Sequence, residues 1–286
     1  MNDFDINAYR VTPGAGLDLS AHDPDDQGPF AHVTDNADDN AADKKSPKRR
    51  AQKATEKLAE QIDQLQARLW AEGKASVLLV IQAMDTGGKD GVIRTVGGAM
   101  NPAGVHVAAF KAPTEEELAH DLLWRIHRHT PARGDVTIFN RSHYEDVLIV
   151  AVHGWITPEV CEQRYGIINT FEQSLVERGS RIIKCFLNIS KDEQARRLQA
   201  RLDDDAKRWK FRLGDIKERE HWKAYMDAYE RALAATSTPH APWYVVPANH
   251  KWYRDWVVAS LLHDTLVGID PQFPAPEDDL TGVKVI

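Results

Sequence analysis

The sequence is short of cysteine, of long apolar runs and of excess positive charge, and each shortage removes a class of function. Only two cysteines occur in 286 residues. Neither Cys161 nor Cys185 stands in a metal-ligand or redox spacing, so both read as small buried hydrophobes. Twelve histidines contain no His-Glu-x-x-His pair, and none is assigned to a metal. No apolar run approaches the roughly 20 residues needed to cross a bilayer. The acidic start Met1-Asn-Asp-Phe-Asp5 lacks the basic and apolar regions of a secretory signal. The expectation is a cytoplasmic protein without a membrane partner. A formal net charge of −7 argues against a nucleic-acid partner, so any polyanion must be met by a local basic patch. With 42% hydrophobic and 28% charged residues, the chain has the composition of one large α/β domain with appendages.

What is present is a strict alternation. Apolar, β-rich runs recur at Ser76–Gln82, Val105–Phe110, Val136–Phe139, Arg181–Leu187 and Trp243–Val246, separated by segments of helical character. That pattern predicts a parallel sheet with covering helices. Thr114-x-x-Glu117, Ser142-x-x-Glu145 and Ser190-x-x-Glu193 have capping-box spacing, and Thr157-Pro158 puts proline at a first helical position. Leu58, Ile62, Leu65 and Leu69 recur at helical spacing after the basic run Lys44–Arg50, which reads as a solvated helix start. Residues 1 to about 45 are rich in Asp, Asn, Ala, Pro and Gly and read as an extended or partly disordered arm.

Ligands of open α/β sheets lie beyond the carboxyl ends of the strands, so the residues just after each run carry the argument. After the first run comes Gln82-Ala-Met-Asp85-Thr86-Gly87-Gly88-Lys89-Asp90-Gly91. Glycine-rich backbone there can wrap anionic oxygens, and Lys89 adds a full charge. Ala83 and Asp90 replace the first glycine and the metal-holding hydroxyl of the general phosphate-loop pattern, leaving Asp85 as the carboxylate for Mg²⁺. The second strand end carries Lys111 and the third Asn140-Arg141-Ser-His-Tyr-Glu145. Arg141 suits charge developing on a transferring phosphoryl group. Glu145 has two readings of equal weight, a capping residue or a site carboxylate. Arg196 to Arg212, followed by a helical stretch to Ala234, reads as a basic helical hairpin, the lid that closes over phosphates and excludes water.

These motifs together resemble the polyphosphate kinase 2 family. The resemblance covers most of the chain, including Ala83–Gly91, Asn140–Leu148, Lys207–Phe211, Ala235–Thr238 and Ala241–Pro247, and extends to Tyr9–Gly14 and Asp23–Asp26. It implies an α/β, phosphate-loop-kinase-like three-layer fold around a five-stranded parallel sheet. Residues 1–50 would be an arm packing on the core, and 51–286 the kinase domain with its lid at about 196–234. It further implies transfer of the terminal phosphoryl group of inorganic polyphosphate to AMP or ADP, reversibly, with Mg²⁺ or Mn²⁺ and with guanine nucleotides as further acceptors. Asp85, Lys89, Arg141 and Glu145 become catalytic residues. Thr86, Gly87, Gly88, Asp90, Gly91, Arg201, Lys207 and Arg208 become phosphate ligands, with Lys111, Asn140 and Glu145 against the nucleotide. A homodimer or homotetramer is implied as well. The competing readings are an ATP-dependent nucleoside-phosphate kinase and a non-catalytic polyphosphate or nucleotide sensor.

Overall fold

Five strands form where the β-rich runs stand: β1 Ser76–Ala83, β2 Val105–Ala109, β3 Val136–Asn140, β4 Ser180–Asn188 and β5 Trp243–Pro247. All pair in parallel, in the order β2-β3-β1-β4-β5. The computed structural model describes residues 4–31 and 46–285. Strand β1 is central and buried along its whole length, which is why it reads as an unbroken apolar run rather than an alternating one.

The helices are α1 Pro47–Glu72, α2 Lys89–Val92, α3 Glu115–Ala119, α4 Trp124–His127, α5 Ile149–Val152, α6 Pro158–Glu177, α7 Lys191–Asp203, α8 Leu213–Glu218, α9 Trp222–Thr236 and α10 Lys251–Ile269. Side chains of β1 alternate between two cores. Val77, Leu79 and Ile81 pack with Ile62 and Leu69 of α1 and with α10, while Leu78 and Val80 pack with α6 and α9. The result is helix, sheet, helix in three layers. Both cysteines are buried and unpaired, Cys161 on α6 and Cys185 on β4. No helix among the described residues is long and apolar enough to cross a membrane.

Side-chain caps open α1, α3, α6 and α7. Ser46 caps α1 ahead of Pro47, Thr157 caps α6 ahead of Pro158, and Thr114 with Glu117 makes the complete reciprocal box. At the other two boxes only the serine half forms. Ser190 accepts from the Glu193 N–H, but the Glu193 carboxylate is drawn to Arg196 and Arg197. Ser142 accepts from Tyr144 instead of residue 145, because 143–146 is a single 3₁₀ turn.

The acidic, glycine- and proline-rich composition predicts an extended arm at the N-terminus, and residues 4–31 contain only short 3₁₀ turns. They are nonetheless tied down by a few apolar anchors, which corrects the expectation of partial disorder there. Tyr9, Val11, Leu19 and Phe30 are buried. The Val11 N–H donates to the Trp243 carbonyl at 2.8 Å. The Tyr9 and Tyr253 hydroxyls are 2.6 Å apart. The rest of the expected arm before α1, with Lys44 and Lys45, lies outside the described residues.

Candidate active site

The turn after β1 crosses closely over two arginines, and that crossing explains its glycines. Gly88 has φ +102°, and a Cβ there would stand 1.8 Å from Nη1 of Arg254. One at Gly91 would stand 2.7 Å from its Nη2. Arg254, on α10, is almost wholly buried and held by the Asp255 carboxylate at 2.6 and 2.9 Å. A Cβ on Gly87 would meet the Ala83 side chain at 2.5 Å. From α7, Arg197 donates to the carbonyls of Thr86 at 3.0 Å and Gly87 at 3.3 Å, and also to those of Ala248 and Asn249. The loop's carbonyls are thus tied back into protein. Lys89 opens α2, and its Nζ donates to the Ala83 carbonyl at 3.0 Å. Burial, reinforced by Arg141, lowers the Lys89 pKa against the opposing pull of Asp85, Glu145 and Asp90.

Facing this loop is the turn after β3. Thr86 (φ 62°) and Arg141 (φ 63°) both adopt the left-handed backbone conformation, which costs a non-glycine residue about 1–3 kcal/mol and is retained where surrounding structure enforces it. Arg141 Nη2 reaches Asp85 Oδ1 at 3.3 Å, and Nη1 lies 3.8 Å from Glu145 Oε2. Burial opposes the charge on Arg141, but Glu145 and Asp85 outweigh it and raise its pKa. Burial raises the Glu145 pKa, against Arg141, Lys89 and Gln82. The Glu145 carboxylate turns toward Arg141 and does not cap the Ser142 turn. Asn140 donates to Asp90 Oδ1 at 3.2 Å, so its amide bridges the two loops.

Behind the Arg141 turn lies a wholly buried charged network. Lys184 of β4 donates to Glu172 of α6 at 2.5 Å, to the Tyr144 hydroxyl at 2.9 Å and to the Thr236 carbonyl at 2.7 Å. Tyr144 in turn donates to Glu172 at 2.8 Å, and the His143 ring lies 3.3 Å from the same carboxylate. These two residues sit between Arg141 and Glu145, so the network fixes the turn that carries both. Nothing in the sequence pattern marks Glu172 or Lys184, because a lone charge in a helix or strand reads as solvent-facing.

Asp85, Thr86, Gly88, Lys89, Asp90, Lys111, Asn140, Arg141 and Arg201 line one cleft of about 760 Å³. Three charged cleft residues were not singled out as site residues from sequence: Lys210, Arg212 and Asp215. Lys210 pairs with Asp90 at 3.3 Å, tying the segment after α7 to the phosphate loop. That bond and the one from Asn140 lower the Asp90 pKa although burial opposes them. Lys207 and Arg208 stand outside the cleft. Lys207 pairs with Asp204, and Arg208 with Asp205 at 2.7 Å, both largely exposed. The expected helical hairpin is also broken. α7 ends at Asp203, and a 3₁₀ turn at Arg208–Lys210, α8 and another 3₁₀ turn precede α9. In that irregular connector the last two cations of the run Lys-Arg-Trp-Lys-Phe-Arg line the cleft and the first two do not, a choice that the run signals only as a whole. Glu145 and Arg141 also border a small chamber of about 110 Å³ walled by Tyr225, Tyr229 and Ile149.

No group of three or more His, Cys, Asp or Glu side chains suited to a metal occurs among the described residues. A metal here would have one or two carboxylate ligands from the protein, the manner of Mg²⁺ at phosphate sites.

Comparison with known proteins agrees with this geometry. The family model for polyphosphate kinase 2 matches residues 45–274. An AMP/ADP-polyphosphate phosphotransferase of Meiothermus ruber is 49% identical over 272 residues, covering 95% of this chain and 97% of the relative. An ADP-polyphosphate phosphotransferase of Rhodopseudomonas palustris is 43% identical over 230 residues, 75% of this chain and 78% of the relative. The crystal structure of polyphosphate kinase 2 from Arthrobacter aurescens TC1 superposes with a TM-score of 0.88 at 45% identity, covering 96% of this chain and 93% of that one. With a strand-end phosphate loop, an opposing arginine and matched sequence across nearly its whole length, this chain belongs to the polyphosphate kinase 2 family.

Proposed function

We propose that this protein is a phosphotransferase that moves the terminal phosphoryl group of inorganic polyphosphate to AMP and ADP, and runs the reverse reaction. The carrying observation is the convergence of Lys89, Arg141, Arg201, Lys210 and Arg212 on one 760 Å³ cleft in a chain of net charge −7. Such a cleft attracts a chain of phosphates.

The acceptor oxygen of AMP or ADP is already anionic, so transfer requires positioning and charge stabilisation rather than proton abstraction. Lys89 grips the transferring group from the loop, and Arg141 faces it from β3. Their opposite placement suits in-line displacement, with charge spreading over the equatorial oxygens in the transition state. Arg201, Lys210 and Arg212 close over the phosphates and exclude water, which would otherwise compete as acceptor. Asp85 suits Mg²⁺ or Mn²⁺, with Glu145 near enough to share the load; the metal supplies charge neutralisation on the phosphate oxygens. The acceptor nucleotide is assigned to Lys111, Asn140 and Glu145, the donor to the side of Arg201, Lys210 and Arg212.

The test is phosphoryl transfer to AMP and ADP from long-chain polyphosphate, beside the same acceptors with ATP or GTP as donor. ADP and ATP formed only from polyphosphate support this reading. Activity only with a nucleoside triphosphate would make the protein an ordinary nucleotide kinase, and binding without turnover would make it a sensor.

A further inference from the structure

Two side chains on one face of α7, Gln194 and Arg197, hold the phosphate loop, and the first of them is held in turn from the base of the segment proposed as a lid. Gln194 is buried, with 1% of its surface exposed. Its Nε2 donates to the Asp85 carbonyl at 3.0 Å, and its Oε1 accepts from Nη1 of Arg219 at 2.7 Å. Only this orientation of the amide satisfies both partners, because a carbonyl can only accept and a guanidinium can only donate. Arg219 closes α8 and opens the 3₁₀ turn that leads into α9, and it also donates to the Lys191 carbonyl at 2.9 Å. The residue before it, Glu218, accepts from the Tyr225 hydroxyl at 2.7 Å and faces the His153 ring at 3.2 Å. Residues 218 and 219 therefore anchor the downstream end of the segment that carries Arg212 and Asp215 into the cleft.

What this grip does for the loop follows from the planar trans peptide, in which an N–H points opposite to the carbonyl before it. With the Asp85 carbonyl drawn to Gln194, the Thr86 N–H points away from α7. With the Gly87 carbonyl drawn to Arg197 and Arg254, the Gly88 N–H is turned away from those two guanidinium groups. Neither N–H has a partner among the described residues, whereas the Gly87 N–H between them closes the turn onto the Met84 carbonyl at 3.0 Å. Thr86 and Gly88 line the cleft, and Gln194 and Arg197 do not. The two free donors are thus presented on the side where phosphates would lie. Arg197 is backed by the carbonyls of Ala248 and Asn249 and so is fixed by the core. Gln194 is backed by Arg219 and so is fixed by the lid.

We infer that Gln194 is a positioning residue for phosphoryl transfer, which transmits the seating of the lid at Arg219 to the Asp85–Thr86 peptide of the phosphate loop. The inference rests on the phosphotransferase reading and adds to it the residue through which loop and lid act together. With Arg219 in place the amide is held at both ends, and the Thr86 N–H is aimed before the transferring group develops its charge. Without Arg219 the amide is free to turn, and the loop loses that aim.

The test uses the full chain with Gln194→Met, Arg219→Ala, the two combined, and Arg219→Lys. Gln194→Met keeps the length of the side chain and removes both hydrogen bonds; Arg219→Ala removes only the one from the lid. Each is expected to lower kcat about tenfold with long-chain polyphosphate and ADP, the size of one buried hydrogen bond. The KM for ADP should stay as in wild type, since the nucleotide is assigned to other residues. The double variant should lose no more than either single one, because the two side chains act as a unit. Arg219→Lys, which keeps a donor for the amide, should stay within about threefold of wild type. A second readout needs no turnover: in Arg219→Ala the Gly87 amide should exchange with deuterium about tenfold faster, while the amides of β3 exchange as in wild type. An unchanged kcat in Arg219→Ala, losses that multiply in the double variant, or an unchanged Gly87 exchange rate would overturn the relay. A Gln194→Met variant that melts earlier but keeps its kcat would reduce Gln194 to packing and overturn it too. Wild-type enzyme that transfers from ATP and from no polyphosphate would instead overturn the donor assignment beneath it, and the exchange rates would still decide the relay.

Discussion

The floor of the cleft and its lid are built on opposite principles. On the floor, charges are buried and shared: Arg197 and Arg254 hold loop carbonyls, and Lys184, Glu172 and Tyr144 lock the turn bearing Arg141 and Glu145 with no exposure to solvent. At the tip of the segment proposed as a lid, charges are exposed and paired with near neighbours in sequence, Lys207 with Asp204 and Arg208 with Asp205. Breaking a buried pair leaves an uncompensated charge and costs about 3–5 kcal/mol, whereas an exposed pair contributes about 0–1 kcal/mol. In the proposed function the floor would hold geometry for the reaction, and the connector proposed as a lid would open and close at little cost.

The comparison predicts a graded set of effects. Lys89→Ala should lower kcat about a thousandfold or more while leaving the melting temperature near wild type, since it removes charge stabilisation at the transferring group. Steady-state kinetics with thermal melts checks this, and a loss under tenfold would remove Lys89 from the mechanism. Lys184→Met should act the other way round, unfolding the protein more easily by about 3–5 kcal/mol. Pairing it with Glu172→Leu should restore much of that loss in denaturant melts. A double variant as unstable as the single one would mean that packing, and not the stranded Glu172 charge, is at fault.

Arg212→Ala in the lid should reduce kcat/KM for polyphosphate about ten- to a hundredfold with no change in stability. If it destabilised the fold as Lys184→Met does, the contrast between floor and lid would collapse. A pH test sharpens the floor. Because the folded pKa of Glu145 is raised by burial, folding penalises its carboxylate fully above the folded pKa and not at all below the unfolded one, about 4.3. Glu145→Gln should therefore raise the melting temperature at pH 7 and leave it unchanged near pH 4; a gain of equal size at both would point to repacking. The smallest effect is expected of Lys207→Ala with Arg208→Ala, no more than about threefold in kcat/KM. A larger loss would bring this tip of the lid into the cleft during turnover.

How much of this was legible beforehand follows from the range of the forces involved. Strands β1, β3, β4 and β5 were readable because burial on both faces writes a nearly continuous apolar run, visible within a few residues; the edge strand β2 is largely exposed and was readable from its β-branched valines and its place in the alternation. Gly87, Gly88 and Lys89 were readable because a phosphate loop is a local motif. The Ser142 spacing left two readings open because it matches whether the Glu145 carboxylate bonds the Ser142 backbone or pairs with Arg141. Arg197 and Arg254 carried no signal, since each acts on carbonyls more than a hundred residues away.

By itself, then, the sequence determined the order of strands and helices, the phosphate loop and the excess of cations in the lid, all of which depend on neighbours in the chain. Only the tertiary structure decided that Lys210 and Arg212 face the cleft while Lys207 and Arg208 do not, that Glu145 turns toward Arg141, and that Lys48, Arg94 and Lys251 meet around one cavity. A basic run has no period of its own to say which side chain turns inward; that choice is made by the surfaces packed against it.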